Sequence, residues 1–195
     1  MMDVEVLPDR IEGEGVSLRR WRVTDVAGQA AAIAESAAHL RPWMGFMADE
    51  PLSLQARRAM LSEWESEWSK GGDGLYGIFV GEAIAGSCGL HRRRGPDTLE
   101  IGYWLHPSFV GRGLAAGTVR LLIDAAFSFP GIAHVEVHHD KANARSSSIP
   151  RRLGFRFIGE RPDEAAAPAE AGIDCTWRLD RRAWEGPRHG GRPLR

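Results

Sequence analysis

Residues 99–155 decide the fold of this 195-residue chain: LEIGYWLHPSFVGRGLAAGTVRLLIDAAFSFPGIAHVEVHHDKANARSSSIPRRLGF. The stretch predicts a strand, a Gly-x-Gly loop, a helix, a second strand, and a short helix that begins at Asn143 and ends at 153–155 (LGF). The loop at 110–116 (VGRGLAA) enters its helix with almost no side-chain bulk. Small residues let phosphates approach the backbone N–H groups of a helix N-terminus, where the helix dipole favours anions. The loop therefore predicts a site for a phosphate-bearing ligand.

The composition is that of one ordinary globular domain. The hydrophobic content is 43% and the net charge is −1, and this balance argues against a dedicated nucleic-acid binder. The two cysteines, Cys88 and Cys175, cannot build a disulfide framework, which favours a reducing compartment. Residues 1–15 contain no apolar signal segment, and no window reaches the roughly 18 apolar residues of a membrane helix. We expect a cytoplasmic protein that binds neither nucleic acid nor membrane.

Hydrophobic periodicity and turn residues predict the other elements. The dipeptide at 81–82 (GE) suits a two-residue hairpin turn, which makes the strands on either side antiparallel. We expect one domain at 1–185, a mobile Ala/Pro/Glu loop at 161–172, and a disordered basic tail at 186–195. The predicted strands are 16–23, 75–80, 83–91, 98–105, 132–139, 156–160 and 175–179. The first predicted helix begins at a cap at Thr24 or Asp25 and ends near residue 40, and the other predicted helices are 52–68, 113–129 and 143–153.

The glycine loop has look-alikes. Residues 111–116 (GRGLAA) satisfy the dinucleotide fingerprint G-x-G-x-x-G/A, with Glu136 and Asp140 roughly where a ribose-binding acid would lie. Too little chain follows to supply the repeated βαβ units of that fold, and the preceding hairpin is antiparallel. A P-loop is excluded because no Lys-Ser/Thr follows the glycines. A glycine-rich turn without any ligand stays open as an alternative.

Four segments, in order, resemble the GNAT superfamily of acyl-CoA-dependent N-acyltransferases, and within it the RimJ/RimL-like branch. Residues 18–25 (LRRWRVTD) resemble the first strand and helix of that branch, and 40–44 (LRPWM) resemble its following loop. Residues 100–115 (EIGYWLHPSFVGRGLA) are similar to its central strand and pyrophosphate loop, and 143–155 (NARSSSIPRRLGF) to its C-terminal motif. The resemblance covers 16–184, which is nearly the whole domain.

The resemblance implies an α+β fold in three layers, with a mixed, mostly antiparallel sheet of about seven strands and about four flanking helices. The sheet would split beside the strand that ends at Leu105, and the pantetheine arm of acetyl-CoA would pair with backbone in the split. The family loop usually begins with Gln or Arg, whereas this chain has Val110; Arg112 can supply part of that polar contact. The cofactor residues that the resemblance implies are Tyr103, Trp104, Leu105, Gly111, Arg112, Gly113, Leu114, Ala115, Ala116 and Asn143.

Acyl transfer to an amine needs a neutral amine, a polarised thioester carbonyl and a proton for the departing thiolate. Several relatives use a tyrosine of the last short helix as the acid, and that position is Pro150 here. Members of the RimL-like group often use a serine in an Asn-x-x-Ser sequence instead, which implies Ser146. Alternatively, Ser146 only caps the first turn of the helix. Because proline has no N–H, the helix is expected to be irregular.

The candidates for a base are Glu100, Glu136 and His138. Glu136 and His138 share one face of their strand by the period-2 rule, and Glu100 lies on the strand beside the expected split. We assign Glu100 and His138 to catalysis and Glu136 to substrate binding. For each of the three residues, the favoured alternative is a strand residue that faces solvent and has no catalytic role. A strong base is dispensable for an α-amine, whose pKa is about 8, because much of it is already neutral and positioning can do the rest.

Trp43, Phe46 and Met47 lie in the loop after the first helix and are expected to line an acceptor cleft, with core packing as the alternative. The sequence at 138–140 (HHD) resembles a metal cluster, but neighbouring strand histidines point to opposite faces, so no metal site is expected. Cys88 is expected to be a small buried residue and not a covalent nucleophile.

These features together predict an acetyl-CoA-dependent N-acetyltransferase that acts by direct attack on a primary amine. The resemblance favours a protein N-terminal α-amine as acceptor. The alternatives are a small-molecule amine such as an antibiotic or polyamine, a non-catalytic acyl-CoA-binding module, and a nucleotide-binding oxidoreductase. The resemblance also makes a homodimer an expectation.

Overall fold

The computed structural model describes residues 6–186, so the predicted tail beyond Gly186 and the first five residues of the predicted domain lie outside the described residues. One eight-stranded sheet, in the order β1-β2-β3-β4-β5-β6-β8-β7, forms the middle layer. Its strands are β1 Arg10–Gly13, β2 Val16–Arg20, β3 Gly74–Val80, β4 Ala83–His91, β5 Thr98–Leu105, β6 His134–Asp140, β7 Arg156–Pro162 and β8 Ile173–Asp180. The helices are α1 Val26–Leu40, α2 Leu54–Ser69, α3 Leu114–Phe127, α4 Ser148–Arg152 and α5 Arg181–Glu185.

The sheet splits between β5 and β6. All other neighbouring strands are antiparallel, whereas these two are parallel and are joined through α3 as the crossover helix. Their ladder covers only three pairs, from Thr98 with His134 to Glu100 with Glu136. Past that point β5 continues to Leu105 and β6 to Asp140 without pairing with each other. The mixed sheet and the split at Leu105 agree with the sequence prediction.

Helices cover both faces of the sheet. Successive residues of β5 point to opposite faces of the sheet. Ile101 joins the large core cluster that contains Leu122 of α3. Trp104 instead joins the cluster built by Ile33 of α1. Leu122 is fully buried, and burying a leucine side chain contributes about 1.5–3 kcal/mol. The result is the predicted three-layer arrangement, with α1 and α2 on one face and α3 on the other.

Residues 6–186 form eight strands and five α-helices, where the sequence predicted about seven and about four. The additional strand β1 is a four-residue polar edge segment, and α5 is a short helix that directly follows β8. The helix predicted from 143 becomes α-helical only at Ser148. Pro150 has no N–H to donate to the carbonyl of Ser146, so the preceding residues form turns. No helix within 6–186 is long and apolar enough to span a bilayer.

Candidate active site

The split between β5 and β6 opens into a cavity of about 720 Å³. Parts of α1, α2 and the turn before α4 complete its wall. Of the predicted site residues, the cavity brings together Trp43, Phe46, Glu100, Tyr103, Trp104, His138, Asn143 and Ser146.

The glycine loop presents free amides at the N-terminus of α3. Gly111 and Gly113 have φ values of 82° and 78°, in the left-handed region that favours glycine, and a Cβ at either position would meet no atom within 4 Å. Within 6–186, no hydrogen-bond acceptor lies against the backbone N–H groups of residues 111–116, and the first such bond runs from Gly117 N to Gly113 O at 3.1 Å. Arg112 stacks on Phe109, 5.2 Å from the ring centroid. These amides and the positive end of the helix dipole fit a diphosphate.

The free edge of β5 fits an extended, amide-bearing arm. Beyond Glu100 the backbone of β5 has no partner strand on its β6 side, so an added strand-like ligand can pair there. Trp104 and Leu105 are buried, so only their backbone is available. Tyr103 also lines the cavity, and its buried hydroxyl has no hydrogen-bond partner within the described chain. Burial raises the pKa of Tyr103 to about 12, so the hydroxyl keeps its proton and remains a potential donor to a ligand.

Ser146 differs from the two serines that follow it. Ser147 Oγ and Ser148 Oγ each donate to the carbonyl three residues earlier, at 2.7 and 2.8 Å. Ser146 Oγ has no such bond in the described residues, and the side chain lines the cavity. Asn143 lies in the same turn, where its carbonyl accepts from Ser146 N at 3.0 Å, and its side chain also faces the cavity. The Ser146 hydroxyl is therefore free to bind a ligand. A serine that only capped the helix would instead bond to the backbone of its first turn.

Glu100 is held by two guanidinium groups. Its side chain is 5% exposed and is ion-paired with Arg93 and with Arg94, whose Nε lies 2.5 Å from Oε2. Burial acts to raise the carboxyl pKa, but the hydrogen bonds and charges of Arg93 and Arg94 outweigh it and lower the pKa of Glu100 to about 2. A carboxylate so strongly stabilised in its charged form is a poor proton acceptor. The geometry therefore opposes the predicted catalytic role of Glu100.

His138 is enclosed by two carboxylates. Its Nε2 lies 2.9 Å from Glu136 Oε2 and its Nδ1 lies 3.0 Å from Asp174 Oδ2. The ring can donate to both only as an imidazolium, and an imidazolium has no lone pair for a further proton. Glu136 is paired in turn with Arg178, at 2.7 Å from Nε. His138 thus lines the cavity, but both of its ring nitrogens are occupied, so it is not a free base. Glu136 contacts His138 and does not itself line the cavity.

Of the three predicted acceptor residues, two line the cavity and one packs in the core. Trp43 and Phe46 line the cavity, and Phe46 is 40% exposed. Met47 is 1% exposed and packs in the cluster that contains Trp104, so for Met47 the core alternative holds. Met60 and Trp64 of α2 also line the wall, although the sequence did not single them out. Apolar residues four apart on a helix look like an ordinary core face, and only the position of α2 beside the split distinguishes them.

Cys88 lines the cavity but cannot act as a nucleophile in this state. It is 4% exposed, and burial raises the pKa of its thiol above the ordinary range. Because the thiolate is the reactive form, a protonated buried thiol is inert. This agrees with direct transfer between two bound substrates.

The glycine loop, the split sheet and the unpartnered hydroxyl groups define a site for an acyl-CoA thioester and a nucleophile. Residues 16–156 match the model of a family described as an acetyltransferase (GNAT) domain. The chain belongs to the GNAT acetyltransferase family, and it is an N-acetyltransferase that uses acetyl-CoA as donor.

One sequence relative matches most of the chain, and two solved structures share its fold. The chain is 27% identical over 179 residues to YdaF of Bacillus subtilis, a candidate ribosomal N-acetyltransferase, covering 89% of this chain and 95% of that protein. The structure of RimL, a ribosomal L7/L12 α-N-protein acetyltransferase in complex with coenzyme A, superposes with a TM-score of 0.79 at 19% identity, covering 92% and 99%. The structure of the microcin C7 self-immunity acetyltransferase MccE with acetyl-CoA and AMP gives 0.80 at 17% identity, covering 91% and 99%.

Proposed function

We propose that this enzyme transfers the acetyl group of acetyl-CoA directly to a protein N-terminal α-amine. The observation that carries this proposal is that none of the three candidate bases is free. Glu100 is ion-paired with two arginines, His138 is bonded to two carboxylates, and Glu136 is itself paired with an arginine. The acceptor then has to be substantially neutral on its own. At pH 7 about one tenth of an α-amine with pKa near 8 is neutral, against roughly 0.04% of a lysine amine with pKa near 10.4. A site without a free base favours the α-amine about 200-fold in reactive form.

The relatives support the same acceptor class. RimL is described as an α-N-protein acetyltransferase and YdaF as a ribosomal one, and both match nearly the full length of this chain. The partly buried aromatic residues Trp43 and Trp64 and the exposed Phe46 give the mouth of the cavity an apolar surface against which the first side chain of a peptide can pack.

In the proposed reaction, the acceptor nitrogen attacks the thioester carbonyl. The C–N bond forms, the C–S bond breaks, and the electron pair of that bond goes to sulfur. Ser146, whose hydroxyl has no partner in the described chain, donates a hydrogen bond to the departing thiolate. The amine proton leaves to water, the thiolate takes up a proton that is delivered from water through the Ser146 hydroxyl, and coenzyme A is released as the thiol. In this proposal the backbone amides of β5 beyond Glu100, which have no partner strand on the β6 side, bind the pantetheine arm and polarise the carbonyl.

Three acceptors test the proposal: a lysine-free peptide with a free N-terminus, an N-terminally blocked peptide with one lysine, and a polyamine. The readouts are release of free thiol from acetyl-CoA and the mass of the product. We expect transfer to the free N-terminus alone. Transfer confined to lysine or to the polyamine would overturn the acceptor, and calorimetry without heat of coenzyme A binding would overturn the donor site. A homodimer and a cytoplasmic location stay predictions, to be tested by light scattering and fractionation.

A further inference from the structure

We propose that Glu170 recognises the positive charge of the acceptor's amine as it enters the cavity. This inference rests on the proposed function and adds a specificity-determining residue to it. Glu170 lies in the loop at 163–172 between β7 and β8, and its side chain is part of the cavity wall.

The other carboxylates of the cavity are occupied or unconstrained. Glu100 is paired with two arginines, and Glu50 lies 2.6 Å from Arg57 Nη2 in a buried pair. Asp140 uses both oxygens to accept backbone N–H groups of residues 142, 171 and 173, at 2.7, 2.9 and 3.1 Å. Asp49 is exposed and makes no side-chain hydrogen bond within the described chain. None of these is a fixed carboxylate that has both a free oxygen and no cationic partner.

Glu170 offers one. Its Oε2 accepts the backbone N–H groups of Ala166 and Ala167, at 2.6 and 2.9 Å. No lysine, arginine or histidine of the described residues pairs with it, and Oε1 makes no hydrogen bond there. A carboxylate with one oxygen fixed by two amides is pre-oriented, so little side-chain entropy is lost when the second oxygen binds a cation. The partly buried position reduces screening by salt.

The loop that carries Glu170 is anchored on both sides of that residue, although its composition predicted mobility. Asp140 holds it from the side of β6 through the amides of 171 and 173. Ala169 N donates to Pro42 O at 3.0 Å, which ties the loop to the segment that carries Trp43 and Phe46. Glu170 therefore lies between β6, which borders the split in the sheet, and the segment that carries Trp43 and Phe46.

The ammonium form binds Glu170 on entry, and the amine reacts after it has lost its proton to water. Glu170 is therefore expected to act on KM for the acceptor and not on kcat. A charge-assisted hydrogen bond contributes about 1.5–3 kcal/mol, which corresponds to roughly 10- to 100-fold in affinity.

The test compares Glu170→Gln with Glu164→Gln, which removes the same charge from the same loop at an exposed position outside the cavity wall. The first readout is calorimetric binding of a peptide with a free N-terminus, and of its analogue lacking the amino group, to the enzyme saturated with coenzyme A. We expect wild type and Glu164→Gln to prefer the amine by at least 10-fold, and Glu170→Gln to prefer it by less than 2-fold.

The second readout is kinetic. Glu170→Gln should raise KM for the peptide about 10-fold or more with kcat within 2-fold, and the KM of wild type should rise with ionic strength while that of the variant does not. Equal preference for the amine in wild type and Glu170→Gln overturns the inference. So does a fall in kcat at unchanged KM. If acetylation and coenzyme A binding persist in those cases, the proposed function survives the loss of this inference.

Discussion

Replacing Gly113 by alanine separates the two requirements on the glycine loop, namely backbone strain and space for a ligand. Gly113 has φ +78° as the residue before α3, and a Cβ there would meet nothing within 4 Å. Gly15, in the turn between β1 and β2, has φ +71° and equally open surroundings. Gly15→Ala is therefore a matched control with the same strain and no place in the glycine loop.

The strain of an alanine in the left-handed region costs about 1–2 kcal/mol. The smaller conformational freedom of the unfolded chain offsets about 0.4–1 kcal/mol of it. Both variants should therefore lose about 1 kcal/mol, and Tm should fall by about 2–4 °C for a chain of this length. Only Gly113→Ala places a methyl group beside the free amides of 111–116. Losing one charge-assisted contact to a diphosphate, at about 1.5–3 kcal/mol, weakens coenzyme A roughly 10- to 100-fold.

Calorimetric titration of coenzyme A gives the affinity, and a thermal melt with and without ligand gives the strain and the ligand stabilisation together. The expected pattern is two similar Tm losses in the free proteins and a loss of ligand stabilisation in Gly113→Ala alone. Coenzyme A affinities of the two variants within 2-fold of each other would refute the diphosphate assignment, because the strain would then be the only consequence of the substitution.

Three other predictions concern the remaining groups. Ser146→Ala should lower kcat about 10- to 100-fold at unchanged coenzyme A affinity, whereas Ser148→Ala, whose hydroxyl is satisfied locally, should stay near wild type; equal kcat values would remove Ser146 from the chemistry. Because the folded pKa of Glu100 is depressed to about 2, its ionised form stabilises the protein fully above its ordinary value of 4.5 and progressively less as pH falls toward 2. Glu100→Gln should therefore lower the free energy of unfolding by at most about 3 kcal/mol at pH 7. In urea unfolding, the variant should also lose less stability than wild type as the pH falls from 4.5 toward 2. An unchanged pH profile would contradict the ion pairing. Met47→Ala should lose about 2–5 kcal/mol of stability with little change in KM for the acceptor. Phe46→Ala should raise KM for the acceptor with little change in stability, because this side chain is exposed. Thermal melts and kinetics of both variants measure the two effects.

The parts of the site that depend on backbone were predictable from the sequence. Gly111, Gly113 and the helix behind them are neighbours in sequence, so the free amides of the loop follow from local rules alone. The split of the sheet was predicted from the resemblance of residues 100–115 to the central strand and pyrophosphate loop of the family. By contrast, β1 was missed because its four residues, RIEG, show no apolar stripe, and its strand conformation depends on pairing with β2.

The charge state of the site was not predictable, because it depends on strand register. Glu136 was expected to face the substrate, but in the β6–β8 ladder it lies opposite Arg178, which neutralises it. His138 was expected to be available as a base, but Asp174, on the same strand β8, bonds its Nδ1. A shift of one residue in β8 would move both partners to the other face of the sheet. No local pattern in the sequence fixes that register.

The same register explains why two carboxylates can lie side by side where the sheet begins to split. Glu100 and Glu136 are directly paired across β5 and β6, at the last pair before the strands separate. Like charges at opposing positions are destabilising. The pair is tolerated because Arg93 and Arg94 neutralise one member and Arg178 the other. Both carboxylates are thereby occupied by arginines. Under the proposed function, the proton transfers of the reaction therefore fall to the acceptor amine, to water and to Ser146.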